Sequence, residues 1–125
     1  MKLKRIQESM IMLLGTILFT YTVSVFAGSG SYTSTYRMTG GVFSQLMNPS
    51  STITVAVAPD VGTSGVNMVL FLAQQKWWGW STSDSLEVSS VYPSSAIFSC
   101  SGEYNIWMRN YTGHEWSGAV TFSWR

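Results

Sequence analysis

Disulfides are excluded at once, because Cys100 is the only cysteine and no intramolecular bridge can form. Histidine is equally scarce. His114 stands alone, so a zinc site built from several imidazoles is excluded. One His and one Cys do not assemble a nucleophile, a base and an orienting group, so no enzyme is expected. Charged residues make up only 10% of the chain. No window of helical length holds a 3.6-residue period. The long helical crossovers that a parallel sheet requires are therefore missing. No motif calls for a cofactor.

One extended apolar run is present, at the N-terminus. Lys2, Lys4 and Arg5 precede it, and it runs from Met10 to Ala27. A basic head, an apolar middle and a small residue at the end predict a secretory signal peptide over residues 1–27, cut between Ala27 and Gly28. The alternative is an uncleaved anchor over residues 10–27, close to the shortest segment that spans a bilayer. In both cases the remainder is expected outside the cell, as a secreted or membrane-tethered domain over 28–125.

That remainder has few charges of either sign. Arg37, Lys76, Arg109 and Arg125 face Asp60, Asp84, Glu87, Glu103 and Glu115, a net charge of −1. With no basic patch, nucleic acid is excluded as a partner. Ser, Thr, Gly and Asn take the place of ionic side chains. All six tryptophans (77, 78, 80, 107, 116 and 124) lie here. One small core does not need six indoles, so several are expected at the surface. Cys100 closes the apolar stretch 96–100. It is either a buried small hydrophobe or an exposed thiol joining two chains, so the protein is expected as a monomer or a Cys100-linked dimer.

Period-2 alternation dominates the rest. Tyr32, Ser34, Tyr36 and Met38 share a face, as do Ile53, Val55 and Val57. Residues 66–73 are apolar on both faces after Asn67, which suits a central strand. After the polar run 81–85, Leu86, Val88 and Val91, then Ile97 and Phe98, mark two further strands. Tyr104, Ile106 and Met108 alternate with Asn105, Trp107 and Arg109, and Val120, Phe122 and Trp124 alternate to the end. Gly40-Gly41, Asn48-Pro49, Gly62-Thr63-Ser64-Gly65 and Tyr92-Pro93 punctuate them. Seven or eight short strands predict a small antiparallel β-sandwich, jelly-roll-like, with a barrel as the alternative.

The segment Gly102-Glu103-Tyr104-Asn105-Ile106-Trp107-Met108-Arg109-Asn110, its polar loop and the closing strand Gly118–Phe122 resemble the C-terminal hairpin of bacterial pre-peptidase C-terminal domains. The resemblance covers residues 95–124. It implies a jelly-roll-like extracellular sandwich of the kind appended to secreted enzymes, with carbohydrate-binding relatives. This chain is expected to depart from that family in having neither a preceding enzyme nor the acidic calcium ligands of some relatives, so no binding residue is carried over.

The tryptophans are the strongest functional signal. In an extended strand Trp78 and Trp80 would share one face, with Trp77 opposite. Exposed indoles suit stacking on the apolar C–H faces of sugars, and equally the water–bilayer interface. Packing into the core is the third possibility. Trp107, outward beside Asn105 and Arg109, would extend a sugar platform, and Trp116 in the loop 113–117 would reach it. The expected ligand set is therefore Trp77, Trp78, Trp80, Trp107, Asn105, Arg109 and Trp116, with polysaccharide or cell-surface glycan as ligand. A membrane-active or antimicrobial protein and a cell-surface structural protein are the alternatives. His114, Glu115, Asp84 and Glu87 read as solvated charges rather than acid–base groups. Asn110-Tyr111-Thr112 is an N-glycosylation sequon, relevant only in a eukaryotic pathway, whereas the chain reads as bacterial.

Overall fold

A computed structural model describes residues 28–125; the predicted export segment 1–27 lies outside the described residues. Eight strands follow one another: β1 (Gly30–Met38), β2 (Gly41–Phe43), β3 (Thr52–Val61), β4 (Asn67–Lys76), β5 (Gly79–Ser89), β6 (Ser94–Ser99), β7 (Asn105–Arg109) and β8 (Trp116–Trp124). They form two four-stranded sheets, ordered β1-β8-β3-β6 and β2-β7-β4-β5. Every strand pair is antiparallel. This interleaved order is that of a jelly roll, in which successive strands alternate between two packed sheets except at the β4–β5 hairpin.

The alternating patterns decide which face turns inward. Tyr36 and Met38, Ile53, Val55 and Val57, Met68, Leu70 and Leu72, Ile106 and Met108, and Val120 and Phe122 are all buried in one cluster between the sheets. β4 lies between β7 and β5; Met68, Leu70 and Leu72 face the core, while Phe71 on the other face packs against Trp107. The last third is not a hairpin. β7 and β8 are consecutive but belong to opposite sheets, so residues 110–115 cross the end of the sandwich.

Three boundaries differ from the sequence pattern. The polar run Ser81–Ser85 belongs to β5, an edge strand with an irregularity opposite Leu72/Ala73. An edge strand is wetted along its free side, and a bulge with a carboxylate blunts it against further pairing. Val91 lies beyond β5. Trp116 and Ser117 open β8 rather than lying in a loop. Cys100 follows β6, half-buried against the core, and burial raises its thiol pKa.

Two core-facing tyrosines couple the fold to alkaline pH. Burial pushes Tyr32 up to about 12, partly offset by the Gln45 N–H that donates to its hydroxyl. Burial, with Asp60 nearby, pushes Tyr36 to about 12 as well. The folded state thus favours the neutral phenols. Their contribution is complete below the unfolded value of about 10 and is lost as pH rises from there to about 12. Urea midpoints are expected to fall across that window, and the Tyr32→Phe/Tyr36→Phe variant to flatten the fall. The buried Tyr36 hydroxyl has no hydrogen-bond partner. Tyr36→Phe alone is expected to gain about 1 kcal/mol at neutral pH.

Candidate functional site

The outer face of sheet β2-β7-β4-β5 gathers several aromatic residues that the core does not use. Register places Phe43, Trp107, Phe71 and Ser85 side by side in one row. The adjoining row is Gly41, Arg109, Val69 and Glu87. On the other side Asn105 sits beside Ala73, and Gln75 beside Trp80.

The rings stack on one another. Trp80 and Phe43 have centroids 4.3 Å apart with planes 21° apart. Phe43 and Trp107 follow at 5.2 Å and 10°, while Phe71 meets Trp107 tilted, at 5.7 Å. Arg109 Cζ lies 4.6 Å from the Trp107 ring and 4.7 Å from that of Tyr111. Trp80, Phe43, Trp107, Arg109 and Tyr111 therefore make a ladder of planar groups. Gly41 makes room for it, since a Cβ there would lie 2.7 Å from Arg109 Cδ and 2.9 Å from Trp107 Nε1. Each contact of this kind contributes about 0.5–1.5 kcal/mol.

This geometry differs from a flat platform. Faces spent on neighbouring rings are closed to a ligand, which leaves the ends of the ladder. At the Trp80 end, that indole and Phe43 wall a groove of about 680 Å³. Its remaining lining comes from Leu46, Gln74, Gln75, Lys76, Glu103 and Asn105. Asn105 Nδ2 donates to the Ser44 carbonyl at 2.8 Å, and Ser44 Oγ accepts from Ile106 N–H at 2.7 Å. These bonds pin the β2–β3 connection to β7. Gln74 Nε2 donates to the Glu103 carbonyl at 3.2 Å. The side chains of Gln75, Lys76 and Glu103 make no hydrogen bond or ion pair among the described residues, so their polar ends are available to a ligand.

Trp77 and Trp78 are the two turn residues of the β4–β5 hairpin, with Lys76 paired to Gly79. Gly79 closes the turn at φ 138°, a region that L residues avoid. The two indoles are 96% and 59% exposed. The reading of Trp77–Trp80 as one extended strand is thereby corrected: the chain reverses inside the motif, and Trp80 returns alone to the sheet face. Trp116 is corrected too. It is 1% exposed and donates from Nε1 to Thr63 Oγ1 at 2.8 Å, so it belongs to the core and to no ligand surface. Trp124 is half-buried, edge-on to Tyr32 at 6.2 Å.

Of the expected set, Trp80, Trp107, Asn105 and Arg109 share one face, with Trp77 and Trp78 on the adjoining turn. Phe43, Phe71, Tyr111 and Gln75 were not anticipated. Phe71 was legible, because it lies two residues from Val69 in a strand with two apolar faces. Phe43 follows a Gly-Gly interruption that hid its strand. Among the charges, Glu115 pairs with Arg37, Glu87 accepts from Asn67 Nδ2, and Asp84 accepts from the Ser85 N–H.

No family model and no curated protein matches the chain. One similar solved structure is the mitogen derived from Yersinia pseudotuberculosis, at 11% identity and a TM-score of 0.48, covering 78% of this chain and 86% of that one.

Proposed function

We propose that the domain is a secreted, non-catalytic binding module that recognises carbohydrate in the groove beside Trp80. One observation carries this reading: a half-covered indole faces the unengaged polar groups of Gln75, Lys76 and Glu103 across the same groove. An apolar ring face with a few convergent polar groups is the pattern of small-ligand sites. Sugars offer the matching chemistry, with apolar C–H faces to stack on the indole and a rim of hydroxyls to bond amides and charges. Because Phe43 and Trp107 spend their faces on neighbouring rings, Trp80 bears the stacking at this groove, with Phe43 and then Trp107 behind it.

The test is intrinsic fluorescence titrated against a panel of polysaccharides. A saturable shift is expected, and Trp80→Ala should weaken binding at least tenfold, about 1.4 kcal/mol. Trp78→Ala, on the turn, should leave it nearly unchanged. Silence across a broad panel would sink the proposal.

The tip Trp77-Trp78 favours a second reading, contact with a lipid interface, because exposed indoles partition there. Vesicle co-sedimentation lost in Trp77→Ser/Trp78→Ser would support it. A protein that stays in the supernatant with neutral and anionic vesicles alike would remove it.

A further inference from the structure

Arg109 differs from the other basic side chains in how it is held. Arg37 is paired with Glu115, the one ion pair among the described residues. Arg109 has no carboxylate partner among the described residues, yet its guanidinium carbon lies over two rings, 4.6 Å from that of Trp107 and 4.7 Å from that of Tyr111. Its Nε is buried and makes no hydrogen bond. The terminal amino groups are neither buried nor bonded within the described residues. Its row neighbours, Gly41 and Val69, offer no acceptor side chain, and the carboxylate of that row, Glu87, is two strands away and engaged by Asn67.

We infer that Arg109 is an anion-recognising subsite of the same face, taking the carboxylate or sulfate of an acidic sugar. This rests on the glycan reading above and adds the ligand's charge to it. The physical case is pre-organisation. A guanidinium hydrates weakly on its faces and bonds in its plane. Contact with two rings restricts the guanidinium, so less rotamer freedom remains to be lost on binding. The two terminal amino groups then present parallel donors that match the two oxygens of a carboxylate or sulfate. Phe43 and Trp107 separate Arg109 from Trp80 along the ladder. One ligand reaching both is therefore an oligosaccharide, stacked at Trp80 and charged at the Arg109 end. With a net charge of −1 over residues 28–125, attraction comes from this local contact and not from a basic field. Salt dependence is accordingly shallow.

Calorimetric titration with oligogalacturonate and with its fully methyl-esterified form tests the inference, since esterification removes charge and keeps the sugar. The wild-type protein should bind the acid at least tenfold more tightly than the ester. Arg109→Met, which keeps a side chain against the rings, should bring the acid down to the ester's affinity. Arg109→Lys, with charge but no fork, should recover only part. A sulfated oligosaccharide run in parallel distinguishes sulfate from carboxylate as the preferred group. Equal affinity for acid and ester, or a preference that survives in Arg109→Met, overturns the subsite and leaves the Trp80 reading standing. If neither glycan binds, the Trp80 reading falls by itself. Inorganic sulfate followed by the Arg109 Nε–H resonance then decides the subsite: a saturable shift retains it, and none overturns it.

Discussion

Trp116→Ala is expected to remove about 3–5 kcal/mol of stability, a large share of the 5–15 kcal/mol typical of a small domain. The indole is fully enclosed at 1% exposure and opens β8 opposite Met38 of β1. It also ties down the β3–β4 connection through Thr63 Oγ1. That connection is gripped a second time, because Ser90 Oγ accepts from Thr63 N–H at 3.1 Å and lies 2.8 and 2.6 Å from the carbonyls of Thr63 and Val66. Loss of the indole therefore leaves a cavity and loosens a loop together. Urea unfolding followed by far-UV circular dichroism measures it. Thr63→Val isolates the hydrogen bond by stranding the indole N–H and should cost about 1–3 kcal/mol. An alanine variant with the wild-type urea midpoint would show that the ring does not pack as described.

Asn110→Leu is expected to cost about 2–4 kcal/mol, through unsatisfied polar groups rather than a cavity. Asn110 is 2% exposed and all its hydrogen-bonding capacity is in use. Nδ2 donates to the carbonyls of Met38 at 3.1 Å and His114 at 2.6 Å. Oδ1 accepts from the N–H of Thr112 at 2.9 Å and from its hydroxyl at 2.7 Å. Asn110→Asp has the same shape but would aim a carboxylate at two carbonyl oxygens, a contact that only the protonated acid relieves. Its folded pKa is therefore raised. The variant should be most stable below the unfolded value of about 4 and lose stability as pH rises above it. A pH-independent deficit would refute this account. The same residue is the acceptor of the glycosylation sequon, and a glycan on Nδ2 would replace one of its two donor hydrogens and force a sugar into a site that is 2% exposed. Chain glycosylated during secretion from eukaryotic cells should therefore fail to fold, and Thr112→Ala should raise the yield by removing the signal.

Legibility followed the range of the interaction involved. The inner faces of β1, β3, β4, β7 and β8 could be read because alternation is local and each strand reports its own buried side. The jelly-roll pairing of β7 and β8 with strands of opposite sheets could not, since sheet order is set by contacts distant in sequence. Trp116 was misplaced because Gly113-His114-Glu115 before it reads as loop, and one residue decides whether an indole starts a strand or ends a turn. Ser81–Ser85 pairs through its backbone while its side chains stay wet, so composition alone does not mark it as a strand. The ladder was half visible. Trp107, Asn105 and Arg109 were placed outward correctly from parity. That Phe43 slots between Trp80 and Trp107 depends on the pairing of a three-residue strand with β7, which no local pattern encodes. The turn at Trp77-Trp78 was hidden because bulky indoles occupy positions where small polar residues are usual.

The position of β8 has a kinetic consequence. It is the last of the eight described strands to be synthesised, yet it is an inner strand, flanked by β1 and β3 along its length. Until it arrives, β1 has no partner in its own sheet and the β3 ladder is open on one side. Ribosome-bound chains that stop short of residue 116 should therefore remain protease-sensitive throughout, and protection should appear in a single step once β8 clears the exit tunnel.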